Sequence, residues 1–214
     1  GSEMCIRDRK WKRPRSGVIS KDAQSVVWDL FDLGPVARRQ IIGGLSDREL
    51  VHVLAECERI TGSPYGLWVD TPSGFVEDIL GETIWSLQRA VLDSVAAHKR
   101  TAVPAAFGMG KTWLAARSVL HFVAVHAPGE ALAVTTATRF RQVRYQLWPH
   151  IRRAHARSGL PGTCDTTQWK VPDANGVENP AAYGFTAPAN DEAAMQGILS
   201  LIHISEPTRR RGIS

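Results

Sequence analysis

The stretch that most constrains the fold is the turn Gly108-Met109-Gly110, which is followed directly by Lys111-Thr112. Residues 100–106 before it predict a short strand, and residues 111–126 after it predict a helix that ends before Pro128-Gly129. Glycine lets a backbone turn sharply and approach a ligand closely. The free N–H groups at the start of a helix favour anions. The pattern therefore predicts a phosphate-binding loop between a strand and a helix.

The residues of this turn fit most of the P-loop pattern G-x-x-x-x-G-K-[ST]. Gly110, Lys111 and Thr112 match it, while Ala105 stands in the place of the first glycine. In such loops the lysine reaches the β- and γ-phosphates and the hydroxyl ligates Mg²⁺, which assigns these roles to Lys111 and Thr112. The alternative is a glycine-rich turn that caps an ordinary helix. The predicted nucleotide-binding residues of the loop are Ala106, Phe107, Gly108, Met109, Gly110, Lys111, Thr112 and Trp113.

Gln88 is a further candidate, on the helix that leads towards this loop. A glutamine amide donates and accepts at once, so it can read the N6/N7 edge of adenine. Many glutamines on helices are simply exposed to solvent, and this interpretation of Gln88 stays open beside the adenine-binding one.

The predicted secondary structure divides the chain into an N-terminal helical part and a second part in which helices and strands alternate. Residues 10–81 form an arm and a helical region, with a capping box at Ser46 and Glu49. From residue 82 helices and strands alternate, with strands predicted at 131–136, 168–171 and 182–186 and a basic helix at 140–157. The predicted fold class is α/β, a partial P-loop NTPase with a mostly parallel sheet flanked by helices.

The two ends of the chain predict an artefact. Residues 202–207 can be encoded by a DNA strand whose complement encodes residues 1–6. This resembles a transposase adapter of sequencing libraries, translated at both ends of an insert. We therefore expect residues 1–9 and 199–214 to be adapter-derived and to make few contacts with the rest, leaving 82–198 as a truncated ATPase domain.

Composition excludes few functions. A net charge of +5 permits a polyanionic partner without requiring one. Three cysteines are too few for a disulfide framework and favour an intracellular protein. No segment approaches the roughly 20 apolar residues of a membrane span, so no membrane partner is expected.

Three phrases together resemble the ATPase domain of tailed-phage terminase large subunits. They are residues 75–88, the deviant P-loop 105–112 and residues 135–148, and residues 183–198 look like the segment before that family's Walker B strand. The resemblance implies ATP and Mg²⁺ as cofactors and Gln88 as the adenine-contacting glutamine. It also implies ATP-driven packaging of double-stranded DNA in the cytoplasm of an infected bacterium. Its expected partners are a small terminase subunit, a capsid portal and further copies in a homo-oligomeric ring.

The chain departs from that family in three ways. The Walker B aspartate and the catalytic glutamate should follow Ile198, where the adapter begins, and the nuclease carboxylates are missing too. The P-loop arginine of many relatives has no counterpart in residues 104–107. We assign no catalytic role to Asp191 or Glu192. Whether the chain is an enzyme stays uncertain, and we expect it to bind nucleotide weakly, if at all, and not to hydrolyse it.

Two alternatives remain beside the packaging motor. One is a helicase-like P-loop DNA translocase. The other is a non-enzymatic helical DNA-binding module that uses the basic arm at residues 10–15.

Overall fold

The N-terminal part is a set of short helices. A computed structural model of the chain describes residues 23–186 and 201–203, with the side chains of residues 26–186. The helices are α1 (Ala23–Asp32), α2 (Pro35–Gly43), α3 (Asp47–Thr61) and α4 (Pro72–Asp78), with a 3₁₀ turn at Gly66–Trp68. The predicted capping box is confirmed, because the Ser46 Oγ accepts from the Glu49 N–H and the Glu49 carboxylate accepts from the Ser46 N–H.

The second part alternates as expected. It contains helices α5 (Ser86–Ala97) and α6 (Lys111–Ala124), strand β1 (Ala133–Ala137), helix α7 (Phe140–Gln142), a π-helical turn at Val143–Leu147 and helix α8 (Trp148–Ser158). Strands β2 (Thr163–Cys164), β3 (Gln168–Pro172), β4 (Glu178–Thr186) and β5 (Leu201–His203) follow. The α/β class predicted from the sequence is therefore confirmed.

The sheet is mixed, so the prediction of a mostly parallel sheet was wrong. Its order is β2-β3-β4-β1-β5. Strand β1 runs parallel to both β4 and β5, whereas β2-β3 and β3-β4 are antiparallel. A tight turn explains the antiparallel β3-β4 pair, because the Asp173 carboxylate accepts from the N–H groups of Asn175 and Val177 and returns the chain as a hairpin.

The prediction of a strand at residues 100–106 was also wrong. These residues form no regular element, and most of their side chains are exposed. A strand needs a neighbour for its backbone hydrogen bonds, and no described strand lies beside this segment. Pro104 additionally lacks an N–H group.

The helix predicted at residues 140–157 exists, but its middle is a π turn. The Trp148 N–H bonds to the carbonyl of Val143, five residues earlier. Pro149 is the cause, because a proline ring inside a helix collides with the carbonyl four residues before it and donates no hydrogen bond. The wider turn relieves that collision and lets a basic helix continue as α8.

Within the C-terminal segment that we expect to make few contacts, residues 201–203 are described and form a strand. Burial of the Ile202 and Ile204 side chains, which would count against that expectation, lies outside the described residues. Residues 201–203 pair in parallel with Val134–Thr136 as strand β5. An apolar Leu-Ile-His-Ile sequence has the composition of a strand, and the edge of β1 offers unpaired backbone groups. The rest of residues 199–214, all of residues 1–9, and Asp191 and Glu192 lie outside the described residues.

One continuous core joins the helical part to the sheet part. Its largest fully buried side chains include Trp68, Trp148, Trp169 and Phe75. Helix α6 crosses this core, and two contacts tie it to the N-terminal part: the Ser63 hydroxyl donates to the Ala124 carbonyl at 2.5 Å, and His121 bonds to the Trp68 carbonyl at 2.8 Å. The C-terminal end of the helix that begins at Lys111 is thus fixed against the N-terminal part.

His121 makes this core sensitive to acid. Burial lowers the pKa of its imidazole from 6.5 to about 4, against the opposing effect of its Trp68 hydrogen bond. His121 is therefore protonated near pH 6.5 in the unfolded chain but only near pH 4 in the folded chain. Because the unfolded chain binds this proton first, the free energy of unfolding falls as the pH decreases from 7 towards 4. Between pH 7 and 5 we expect His121 to contribute a loss of about 2 kcal/mol.

Urea denaturation of the natural chain and of His121→Gln at both pH values measures this effect. Glutamine keeps an amide donor for the Trp68 carbonyl but cannot titrate. The variant should lose less stability between pH 7 and 5 than the natural chain. Equal losses in the two proteins would show that His121 does not titrate as a buried neutral group.

Candidate nucleotide-binding site

The predicted phosphate loop ends in a turn that only glycine adopts easily. Gly108 and Gly110 have φ angles of 77° and 80°, in the left-handed region. Gly110 is the N-cap of the 14-residue helix α6, and its carbonyl accepts the first helical bond, from the Leu114 N–H at 2.9 Å. A Cβ on Gly108 would meet no atom within 4 Å, so the loop is open on that side. The helix start therefore presents N–H groups that lack intrahelical partners.

Lys111 lies folded over this loop. Its ammonium donates to the carbonyls of Ala105 and Ala106 at 2.7 and 2.8 Å and lies 5.9 Å from the centre of the Phe107 ring. These partners are neutral carbonyls and a ring, and no carboxylate of the described residues forms an ion pair with Lys111. The positive charge is therefore left without a formal counterion.

Gln88 lies beside the loop, although it precedes Lys111 by 23 residues. Its Nε2 atom is 3.6 Å from the position that a Cβ on Gly110 would occupy. Its Oε1 atom accepts from the Trp85 N–H at 3.3 Å, which orients the amide at the first turn of α5. Two separate segments singled out from the sequence are thus brought together.

The other predicted loop residues differ in exposure. Phe107 is 81% exposed and Met109 is 38% exposed, whereas Thr112 and Trp113 are half-buried. The Trp113 ring is covered by the Arg117 guanidinium, 4.4 Å from its centre. Trp113 therefore contacts the helix side of the site, and Phe107 stands out from the loop.

A partly buried ion-pair cluster that includes helix α6 was not predicted. The Glu82 carboxylate accepts from Arg117 with both oxygens, one at 2.7 Å from Nε, and from Arg157 at 2.5 Å. The side chain of Arg117 is only 3% exposed. A signal existed in the sequence, because Arg117 is a lone charge among Leu114, Ala116 and Val119 on a face that must be buried.

A basic surface follows strand β1. Residues 131–164 contain six arginines and no acidic residue. Arg139, Arg141, Arg144 and Arg153 are exposed, and the Arg144 guanidinium lies 5.3 Å from the centre of the 64% exposed Tyr145 ring. Burial, Arg117 and Arg153 lower the pKa of the nearby His150, so this histidine carries less positive charge at neutral pH than an exposed histidine would.

Neither described cysteine is a candidate nucleophile. Burial raises the pKa of Cys57, and it raises the pKa of Cys164 to about 12. Both thiols stay protonated at neutral pH. The described part of the chain also contains no cluster of three or more His, Cys, Asp or Glu side chains that could hold a metal ion.

The chain matches no protein-family model, no curated protein and no solved structure. Among the residues with described structure, no helix is both long and apolar enough to cross a membrane.

Proposed function

We propose that the chain binds ATP through the Gly108–Thr112 loop and Gln88, as the nucleotide-binding part of a P-loop motor that packages DNA, like the large subunit of phage terminases. The observation that carries the proposal is that three features lie together. They are the left-handed glycine turn at the start of α6, the Lys111 ammonium without a counterion among the described residues, and the oriented Gln88 amide beside them.

The residues present fit a triphosphate. The side of Gly108 is open, and the uncompensated charge of Lys111 lies over the loop. Carbonyls of Ala105 and Ala106 are weaker partners for an ammonium than phosphate oxygens, because the latter carry full negative charge. A nucleotide can therefore replace them as partners of Lys111 at a net gain.

Each residue has a distinct task in this proposal. Backbone N–H groups of the loop and of the first turn of α6 bind phosphate oxygens, and Lys111 neutralises their charge. The Thr112 hydroxyl is the protein ligand for Mg²⁺, which supplies charge neutralisation and holds the phosphates in place. The Gln88 amide reads the adenine edge.

Calorimetric titration of the chain with Mg²⁺-ATP tests the proposal. We expect weak but saturable binding that inorganic tripolyphosphate competes for, because the loop binds phosphates. Heat that neither saturates nor responds to tripolyphosphate would contradict nucleotide binding at this loop. No other described loop combines these features, so the titration has one expected site.

The basic surface supports DNA as the second ligand. Exposed arginines that form no ion pair with a described carboxylate release counterions when they meet phosphates, and an aromatic ring stacked with arginine adds a contact surface. In the proposed motor this surface of α7 and the π turn contacts DNA. The small terminase subunit, the portal and the ring of copies belong to the same proposal.

We expect the double variant Arg141→Ala/Arg144→Ala to bind DNA more weakly and to flatten the dependence of log affinity on log salt by about 2, about 1 for each lost phosphate contact. Fluorescence anisotropy with a labelled duplex at several salt concentrations measures the slope. The matched control is Arg48→Ala/Arg59→Ala, which removes two exposed arginines from α3.

A chain lacking residues 10–15 separates this motor surface from the alternative DNA-binding module. If its loss alone removes DNA binding while Arg141→Ala/Arg144→Ala leaves the slope unchanged, the basic surface is not the DNA site.

A further inference from the structure

Glu82 connects the two halves of the proposed nucleotide site. It lies six residues before Gln88, in the segment that leads into α5, and its carboxylate is bound by Arg117 of α6 and Arg157 of α8. Helix α6 is the same helix whose first residues are Lys111 and Thr112. One carboxylate thus ties the segment before the base-reading amide to the helix that starts at the phosphate loop.

The connection is rigid on both sides. On the Glu82 side, the backbone N–H of Glu82 donates to the Val76 carbonyl at 3.1 Å, and the neighbouring Ile84 is buried. On the Arg117 side, the guanidinium is held between Glu82 and the Trp113 ring, which directly follows Thr112. A bidentate arginine–carboxylate pair fixes both distance and orientation, unlike a single contact.

The cluster is also costly to disturb. Arg117 is buried, and its Nη1 atom has no hydrogen-bond partner among the described residues. Glu82 is therefore the carboxylate that balances this charge, because no other described carboxylate pairs with Arg117. A cluster in which two arginines share one acid is an unusual choice for stability alone, since apolar residues of similar volume often serve at least as well.

We infer that Glu82 and Arg117 are a positioning pair that holds Gln88 at the distance from the phosphate loop that adenine requires. The inference rests on the nucleotide-binding proposal above. It assigns the discrimination between ATP and a bare polyphosphate to a pair that touches neither the base nor the phosphates.

The test compares Mg²⁺-ATP with inorganic tripolyphosphate, each titrated calorimetrically into the full chain. Glu82→Gln should lower ATP affinity about tenfold, the effect of losing a well-placed amide contact to the base, and leave tripolyphosphate affinity within about twofold. Gln88→Ala should produce the same loss. In the Gln88→Ala background, Glu82→Gln should cost ATP affinity nothing further, since the pair acts through Gln88.

Glu56→Gln is the matched control. It breaks another bidentate pair with an arginine, Arg59, whose two contacts of 2.6 and 2.9 Å lie on exposed α3. It should change neither affinity. If circular dichroism shows that Glu82→Gln fails to fold, Glu82→Asp replaces it, because aspartate keeps the charge but is one methylene too short to reach both arginines.

The outcomes separate this inference from the proposal beneath it. If the natural chain binds neither ATP nor tripolyphosphate, the proposal of a nucleotide site is wrong, and the positioning role of Glu82 and Arg117 falls with it. If the natural chain binds both, but a folded Glu82 variant loses both equally or neither, the positioning role is overturned while the nucleotide site stands. Additive losses in Glu82→Gln/Gln88→Ala would overturn it as well.

Discussion

Lys111→Ala is expected to lower the affinity for Mg²⁺-ATP by about tenfold to a hundredfold. The ammonium now bonds only to the carbonyls of Ala105 and Ala106 and forms no ion pair with the described carboxylates, so its charge is available to phosphate oxygens. A hydrogen bond from a charged group contributes about 1.5–3 kcal/mol, which corresponds to that range of affinity. Tripolyphosphate affinity should fall in parallel, because the lost contact is to phosphate.

The measurement is a calorimetric titration, with Lys99→Ala as the matched control. Lys99 is an exposed lysine in the loop after α5 and forms no ion pair with any described carboxylate. Its removal tests whether a general loss of positive charge weakens binding. Equal effects of the two substitutions would mean that the loop attracts phosphates only through the overall field of the protein.

Phosphate release provides the second readout for the same variant. We expect this chain not to hydrolyse ATP, because hydrolysis needs carboxylates that hold the metal and orient water, and the sequence analysis assigns that role to no residue. We expect no steady-state release from the natural chain. Robust release that Lys111→Ala abolishes would show that a catalytic carboxylate is present within these 214 residues.

The sequence predicted the local elements better than their partners. Helix α6, the capping box at Ser46 and the turn at Gly108–Gly110 depend on residues close together in the chain, and all three were found where predicted. The strand predicted at residues 100–106 would need a neighbouring strand, and the residues of the segment itself could not supply one. Strand pairing is a long-range property, so a pattern of single residues carries little information on it.

The candidate site shows the same division. The loop and Gln88 were predicted by motif and resemblance, and the structure adds that they lie side by side. The Glu82–Arg117 pair joins residues 35 positions apart and follows no motif. In the sequence, the single charge of Arg117 on an apolar helix face indicated that it has a buried partner. It did not indicate which carboxylate that partner is.

Gly184 is a position where a single methyl group should strongly disturb the packing of the sheet against the helix above it. It lies in β4 opposite Thr135 of β1, directly beneath the helix that carries the π turn. A Cβ at this position would come within 3.0 Å of Trp148 Nε1 and of a methyl group of Val143, both fully buried. The Trp148 indole donates to the Thr135 hydroxyl at 3.0 Å, so it cannot move aside without losing this bond.

We therefore expect Gly184→Ala to destabilise the protein by about 3 kcal/mol, which combines overpacking with the loss of a buried hydrogen bond. The sign is diagnostic, because replacing glycine by alanine inside a strand ordinarily stabilises by about 0.5–1 kcal/mol. Urea denaturation measures the change. Gly43→Ala is the control, since a Cβ there would meet no atom within 4 Å. The Gly184→Ala protein should also bind DNA more weakly than the natural chain, because a displaced π turn carries Arg144 with it. A Gly184→Ala protein as stable as Gly43→Ala would show that Trp148 and Val143 do not pack against β4 in this way.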